Sequence, residues 1–131
     1  MKYRVGLTTL GIMAGAAALS AAPPANPVAG ATVFKKCASC HTVDPSGRNG
    51  LGPNLRGVAN RRAGTLAGFP YSPAMKASGL TWNEATLDRF LTAPRAAVPG
   101  TKMIFAGLPN PQDRADVIAY LRQTSAAGAK K

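Results

Sequence analysis

One five-residue pattern constrains this chain more than any other: Cys37-Ala38-Ser39-Cys40-His41, which holds both cysteines and the only histidine of the 131 residues. In this spacing two thiols can add to the two vinyl groups of one porphyrin while the adjacent imidazole reaches its iron. The pattern therefore predicts one covalently attached haem, held by Cys37 and Cys40, with His41 as an axial ligand of the iron.

Three other interpretations of this pentad stay open on the motif alone. A redox-active disulfide usually lies at a helix start after a strand, and the sequence lacks that βαβ context. Structural zinc normally takes four Cys or His ligands, and this chain offers three. Two buried cysteines can also precede a histidine by coincidence, which only the rest of the chain can decide against.

The N-terminus predicts a secretory signal peptide over residues 1–20. Lys2 and Arg4 form a basic start, an apolar run follows over residues 5–19, and small residues close it. Cleavage after Ser20 is favoured, because cleavage after Ala22 would place Pro23 first in the mature chain. The alternative is an uncleaved membrane anchor, since the apolar stretch of residues 5–22 is near the lower limit for crossing a bilayer.

Removal of residues 1–20 would leave 111 of the 131 residues, which is enough for one small domain. We expect that domain over residues 27–125 and a disordered tail over 126–131. The mature chain would keep 14 basic residues against five acidic ones, a formal charge of +9, which favours acidic partners. Nucleic acid is not predicted as a partner, because basic residues do not cluster among aromatic ones and an export signal leads away from it.

Four short helices joined by long loops are predicted. Asn26-Pro27 and Asn110-Pro111 each place a capping residue before a proline, which indicates the first and last helix. Ser72-Pro73 begins a short second helix, and Thr81 to Glu84 resembles a capping box for the third, which Pro94 would end. No stretch alternates at period two, so the class is all-α, with the loops wrapped around the haem.

The ligand on the other side of the iron cannot be a second histidine of this chain. Met, Lys, a group from a partner, water or nothing remain, and a Met thioether is the usual choice in electron carriers. After signal removal the methionines are Met75 and Met103. Met103 is favoured, because it lies in a loop stiffened by Pro99 and Gly100 that can hold a side chain toward a metal.

From Gly30 to Tyr120 the sequence resembles the class I c-type cytochromes, and within them the bacterial cytochrome c2 and mitochondrial-type group. Spaced motifs over nearly the whole mature chain carry this resemblance: Gly30-x-x-x-Phe34, the pentad, Gly52-Pro53-Asn54-Leu55, Arg61, Tyr71, Trp82, Pro99-Gly100-Thr101-Lys102-Met103, Arg114-Ala115-Asp116 and Ala119-Tyr120-Leu121. It implies the small single-haem cytochrome c fold, with Met103 as the second axial ligand.

The resemblance also assigns roles around the haem. Gly30 and Phe34 would pack against Tyr120 where the terminal helices cross, and the carbonyl of Pro53 would accept the second N–H of His41. The propionate contacts would come from Arg61, Tyr71 and Trp82, and Thr101 would close the loop beneath Met103. Where the family usually has Tyr and Asn, this chain has Phe90 and Met75, which implies a drier pocket and a shifted reduction potential.

The function implied is that of a soluble, monomeric periplasmic one-electron carrier with no substrate and no catalytic residues. It would shuttle electrons from a membrane donor resembling a cytochrome bc1 complex to a terminal oxidase, a reductase or a photosynthetic reaction centre. The exposed haem edge would meet acidic surfaces of these complexes through four cations: Lys35, Lys36, Arg95 and Lys102. A peroxidase is disfavoured, because it usually needs a distal base and no second histidine exists.

Overall fold

The computed structural model describes residues 23–128, so the predicted signal segment over residues 1–20 and the last three residues of the predicted tail lie outside the described part. Five helices form within it: α1 (Pro27–Phe34), α2 (Pro73–Ala77), α3 (Glu84–Thr92), α4 (Pro94–Ala97) and α5 (Pro111–Gly128). In residues 23–128 there is no strand, only an isolated antiparallel bridge between Arg62 and Thr81. The predicted all-α class is confirmed.

Helices α1 and α2 begin where the sequence predicts. The Asn26 side chain accepts hydrogen bonds from the backbone N–H groups of Val28, at 2.9 Å, and Ala29, at 3.3 Å. The hydroxyl of Ser72 accepts the N–H of Met75 at 3.0 Å. In both helices a proline follows the cap, where its missing N–H costs no hydrogen bond.

The prediction for α3 and its surroundings was partly wrong. The capping box is formed by Asn83 and Thr86, two residues later than expected. Thr81 cannot cap the helix because its backbone pairs with Arg62 in the bridge. Pro94 does not begin a long loop: α3 ends at Thr92, and Pro94 is the first residue of the additional helix α4.

Helices α1 and α5 cross in direct backbone contact. A Cβ on Gly30 would lie only 2.5 Å from the carbonyl carbon of Asp116 and 2.9 Å from Cβ of Tyr120. Beside this contact the rings of Phe34 and Tyr120 pack with centroids 5.3 Å apart. The backbone N–H of Asn26 donates to Oδ1 of Asp116 at 2.8 Å, which ties the start of α1 to α5. The expected packing of Gly30 and Phe34 on Tyr120 is confirmed.

Helix α5 also holds α3 and the loop that precedes α5. Nε of Arg114 donates to Asp88 at 2.7 Å, and its Nη1 donates to the carbonyl oxygens of Leu108, at 2.8 Å, and Pro109, at 3.2 Å. The helix continues to Gly128, so residues 126–128 of the expected disordered tail are helical. None of the helices between residues 23 and 128 is both long and apolar enough to cross a membrane.

The buried apolar side chains form one core cluster that draws on helices α1, α2, α3 and α5 and on the segments between the helices. Its members are Val33, Phe34, Val58, Ala63, Met75, Trp82, Leu87, Phe90, Leu91, Val98, Leu108, Val117, Ile118 and Leu121. Met103, Phe105, Tyr71 and Cys37 pack against this cluster while keeping part of their surface in solvent. Two of the predicted haem-binding residues, Cys37 and Met103, therefore border the core.

Candidate functional site

The pentad follows α1 as a series of tight turns that keep its side chains close together. The backbone N–H groups of Cys40 and His41 both donate to the carbonyl of Cys37, at 3.1 and 2.9 Å. Both cysteines are free thiols and half-buried. Burial, and then the neighbouring Cys40, raise the pKa of Cys37, while Lys36 opposes them. Two free thiols thus lie in consecutive turns of the pentad, with no disulfide between them.

The imidazole of His41 is fixed by the loop that follows the pentad. Its Nδ1 lies 2.8 Å from the carbonyl oxygen of Pro53. Because a carbonyl can only accept, Nδ1 carries the proton and Nε2 keeps its lone pair. Burial lowers the pKa of His41, although the Pro53 carbonyl works in the opposite direction. The ring is therefore a neutral imidazole whose Nε2 is available to a metal.

Gly52 lets this loop approach the imidazole ring. A Cβ there would lie 2.7 Å from Nδ1 and 2.8 Å from Nε2 of His41, inside van der Waals contact. The backbone N–H of Gly52 donates to the carbonyl of Cys40 at 2.8 Å, which fastens the loop to the pentad. The sequence indicated this glycine only as part of a family motif, and its contact with the ring is visible only in three dimensions.

Asn54 braces the same loop from inside and is one of the few buried polar side chains. Its Nδ2 donates to the carbonyls of Asp44, at 3.0 Å, and Arg48, at 3.1 Å, and its Oδ1 accepts the N–H of Arg56 at 2.8 Å. Its own N–H donates to Oδ1 of Asn49 at 2.8 Å. A buried amide satisfied in this way holds the loop in one conformation, a role that sequence reasoning missed.

Arg61 is a half-buried cation surrounded by carbonyl groups. Its Nη1 donates to the carbonyl of Arg56 at 3.3 Å and its Nη2 to that of Asn54 at 3.2 Å. Burial lowers the pKa of Arg61, while nearby Tyr71 favours its charged form. Among residues 23–128 its guanidinium has no carboxylate within 4 Å. Such a charge suits an anionic group from outside the chain.

The other two residues expected near the propionates border the core. Trp82 is buried, with its ring centroid 5.0 Å from that of Phe90. Tyr71 is half-buried and meets Phe69 edge-to-face at 4.8 Å. Met75 is buried in the same core cluster. The two positions at which this chain departs from the usual family residues, Phe90 and Met75, are thus both apolar core.

Met103 lies in a loop with defined turns. The N–H of Thr101 donates to the carbonyl of Val98 at 3.0 Å, and the hydroxyl of Thr101 accepts the N–H of Met103 at 3.3 Å. Gly100 has a φ of +89° and approaches Ala74 of α2, so that a Cβ on Gly100 would lie 3.1 Å from Cβ of Ala74. Met103 packs against the core with part of its surface open.

The four predicted docking cations are all exposed: Lys35 and Lys36 just after α1, Arg95 on α4, and Lys102 beside Met103. Lys36 lies 4.0 Å from Asp113, a weak ion pair at the surface. In the part of the chain that the structure describes, the other three form no ion pair within 4 Å. They remain available to a partner.

Comparison with known proteins decides the identity of this arrangement. Residues 27–125 match the family described as cytochrome c. The chain belongs to the cytochrome c family. This cytochrome is 57% identical to cytochrome c2 of Rhodoblastus acidophilus over 105 residues, covering 80% of this chain and 98% of that protein.

Further relatives and a solved structure agree. Cytochrome c of Gossypium barbadense is 50% identical over 111 residues, covering 84% of this chain and all of that protein, 100%. Cytochrome cH from Methylobacterium extorquens superposes with a TM-score of 0.71 at 42% identity, covering 75% of this chain and 98% of that chain. The predicted class I c-type cytochrome of the c2 and mitochondrial-type group is confirmed.

Family membership makes this cytochrome an electron carrier with covalent haem c and not an enzyme. The residues present fit that group, since the structure places two free thiols and a neutral imidazole in one pentad, together with a half-buried Arg61 that has no carboxylate within 4 Å among residues 23–128. Within residues 23–128 no three His, Cys, Asp or Glu side chains are arranged to hold a metal ion by themselves.

Proposed function

We propose that this cytochrome is a soluble periplasmic carrier that moves one electron at a time from a membrane donor resembling a cytochrome bc1 complex to a terminal oxidase, a reductase or a photosynthetic reaction centre. The observation that carries the proposal is the neutral His41 imidazole, fixed by Pro53 within a haem-attachment pentad. The haem supplies an iron that alternates between Fe(III) and Fe(II). The residues of the chain would bind the haem and fix its position.

The chain's contribution is to hold its groups in the same place in both oxidation states. Cys37 and Cys40 would anchor the porphyrin, and His41 and Met103 would be the axial ligands. A thioether ligand from Met103 would raise the reduction potential relative to a second imidazole. The backbone bond from Met103 to Thr101 and the packing of Met103 on the core limit its movement. A rigid shell of this kind needs little rearrangement when an electron arrives or leaves.

Carbon monoxide binding to the ferrous protein tests the ligand assignment. With both axial positions filled by the chain, the native protein should bind carbon monoxide negligibly at neutral pH. Met103→Ala should open the site and bind it, whereas Met75→Leu, the matched change of the other methionine, should not. Carbon monoxide binding by the native protein would contradict the assignment and would favour a catalytic haem protein.

The apolar residues near the site are proposed to keep water away from it. Met75 and Phe90 lie in the core where the family usually has side chains that form hydrogen bonds. Restoring those side chains with Phe90→Tyr and Met75→Asn should change the reduction potential, because a polar neighbour alters the relative solvation of the two oxidation states. A potential equal to that of the native protein in both variants would show that the pocket's polarity has no influence.

Docking is proposed to use the exposed cations Lys35, Lys36, Arg95 and Lys102, opposite acidic surfaces of the membrane complexes. Charges of one sign speed association, and salt screens them. The electron-transfer rate with a purified cytochrome bc1 complex should therefore fall as ionic strength rises. A rate independent of ionic strength would rule out this arrangement.

The proposed location follows from the predicted signal peptide over residues 1–20. The mass of the mature protein distinguishes cleavage after Ser20 or Ala22 from retention as a membrane anchor. A mature chain lacking these residues, released in the periplasmic fraction, supports the soluble carrier. Recovery of the full-length chain in the membrane fraction would favour the anchored alternative instead.

A further inference from the structure

Three large apolar side chains in residues 23–128 stand almost fully in solvent: Val28 is 78% exposed, Leu51 84% and Ile104 89%. Two of them lie beside the proposed axial ligands. Leu51 precedes Gly52, which contacts the His41 ring, and Pro53, which accepts a hydrogen bond from it. Ile104 follows Met103 directly. Single exposed apolar residues are common, so the case for Leu51 depends on how its backbone is held and on the charge around it.

The backbone holds the Leu51 side chain outward. Gly50 and Gly52 flank it, and the N–H of Gly50 donates to the carbonyl of Gly52 at 3.0 Å. A Cβ on Gly50 would lie 2.8 Å from the carbonyl oxygen of Cys40, and a Cβ on Gly52 would lie 2.7 Å from Nδ1 of His41. The pentad therefore fills the space beneath both neighbours. Leu51 cannot turn inward without breaking contacts that fix His41.

A fixed apolar side chain of this kind is well suited to binding another protein. The loop is already ordered by its bonds to the pentad and by Asn54, so little backbone entropy remains to be lost on association. An aliphatic side chain presented in this way can fill a pocket on a partner and exclude water there. A disordered side chain at the same position would contribute less.

A depression lies next to Leu51 along the chain, and one cation and one carboxylate line it. Its volume is about 300 Å³, it lies between the pentad and the same loop, and its lining includes Gly50, Arg48 and Asp44. Arg48 is exposed and, within the described chain, forms no ion pair within 4 Å. The charge that favours an acidic partner therefore comes from the exposed Lys35, Lys36 and Lys102 and from the excess of basic over acidic residues in the chain. A partner that covers this face should thus bring its own carboxylates.

We infer that Leu51 is a docking residue, which enters an apolar depression bordered by carboxylates on the redox protein that exchanges electrons with this cytochrome, with Ile104 as a second apolar contact on the Met103 side. The inference rests on the proposed function and names the partner's chemistry at that site. The cations supply long-range attraction that salt weakens, whereas the Leu51 contact is apolar and insensitive to salt.

A purified cytochrome bc1 complex is the probe. The steady-state rate at which it reduces the holoprotein, measured against carrier concentration at low and high ionic strength, gives KM and kcat for native protein, Leu51→Ala and Leu51→Met. Val28→Ala is the matched control, because Val28 is equally exposed but lies in the first turn of α1, at the end remote from the pentad. Lys102→Gln measures how much the positive charge of that side chain contributes to KM.

We expect Leu51→Ala to raise KM about tenfold at both ionic strengths, as for a central apolar contact, with kcat little changed. Leu51→Met should recover most of the native KM, because it restores the apolar volume. Val28→Ala should match the native protein, and Lys102→Gln should alter the salt dependence instead. Because Leu51 is exposed, unchanged urea midpoints would confirm that its variants fold normally.

Two different results would overturn the inference. If Leu51→Ala has the same KM as Val28→Ala while the native protein is reduced rapidly, Leu51 is not a docking residue and the electron-carrier proposal stands. If the native protein is not reduced by the complex although ascorbate reduces it normally, the proposed donor is wrong and the inference fails with it.

Discussion

Substitution of Gly30 by alanine should separate the two terminal helices. The new Cβ would lie 2.5 Å from the carbonyl carbon of Asp116 and 2.9 Å from Cβ of Tyr120. Carbon atoms in contact prefer about 3.5–4.0 Å, so α1 must move away from α5 by about 1 Å. The obstruction at Asp116 is main chain, which no rotamer change can remove.

The expected loss of stability is about 3 kcal/mol. Overpacking at a rigid contact costs about 3 kcal/mol, at the upper end of its usual range. Moving α1 also weakens the aromatic pair of Phe34 and Tyr120, worth about 1 kcal/mol. The higher helix propensity of alanine offsets about 1 kcal/mol of this loss of stability. For a domain of this size the net loss corresponds to a decrease in Tm of roughly 15 °C.

Urea and thermal denaturation of the ferric holoprotein, followed by far-UV circular dichroism, would measure this loss. Thr32→Ala is the control, since Thr32 lies on the exposed side of the same helix and its change should stay within about 0.5 kcal/mol. Adding Tyr120→Ala should not rescue Gly30→Ala, because the Asp116 backbone remains in place. A Gly30→Ala protein as stable as Thr32→Ala would refute the backbone-contact argument.

Two further results are expected. Gly52→Ala should break the hydrogen bond from His41 to the loop and raise the reduction potential, since the imidazole becomes a weaker donor; Thr32→Ala, on the exposed side of α1, is the control, and equal potentials in potentiometric titration would contradict this reasoning. Arg61→Gln should lower the free energy of unfolding by about 2 kcal/mol in urea, against about 0.5 kcal/mol at most for the exposed Arg62→Gln; equal urea midpoints for the two would contradict it.

Local signals in the sequence predicted the helices well where one segment decides its own conformation. Asn26, Ser72 and Asn110 each precede a proline, and a helix begins at each of those prolines. Errors occurred where a distant segment decides. The bridge from Arg62 takes Thr81 out of the cap position, and the expected capping box therefore formed two residues later.

Pro94 illustrates an ambiguity of a different kind. Proline ends a preceding helix and also favours the first turn of a new one. From the sequence we expected only the first outcome, with Pro94 ending the third helix. In the structure Pro94 follows the end of α3 and also begins α4, and Ala93 alone separates the two helices. Local composition does not distinguish these outcomes.

The sequence showed which residues would bind the haem, but not which residues hold them in place. The pentad and the single histidine are explicit in the chain, so covalent haem could be predicted directly. The close approach of Gly52 and the hydrogen bonds of Asn54 within the loop depend on how the loop over residues 44–56 folds back on itself. Glycine and asparagine are ordinary loop residues, and nothing in their spacing indicates such contacts.

The crossing of α1 and α5 has a consequence for the order of events during synthesis. Helix α1 ends at Phe34, and its partner α5 begins only at Pro111. A ribosome therefore releases the cysteines long before it releases the helix against which their neighbouring segment packs. Pairing of segments so distant in sequence is slow and needs nearly the entire chain. Until α5 is available, the segment that carries both thiols lacks its packing partner and stays accessible to the machinery that attaches the porphyrin.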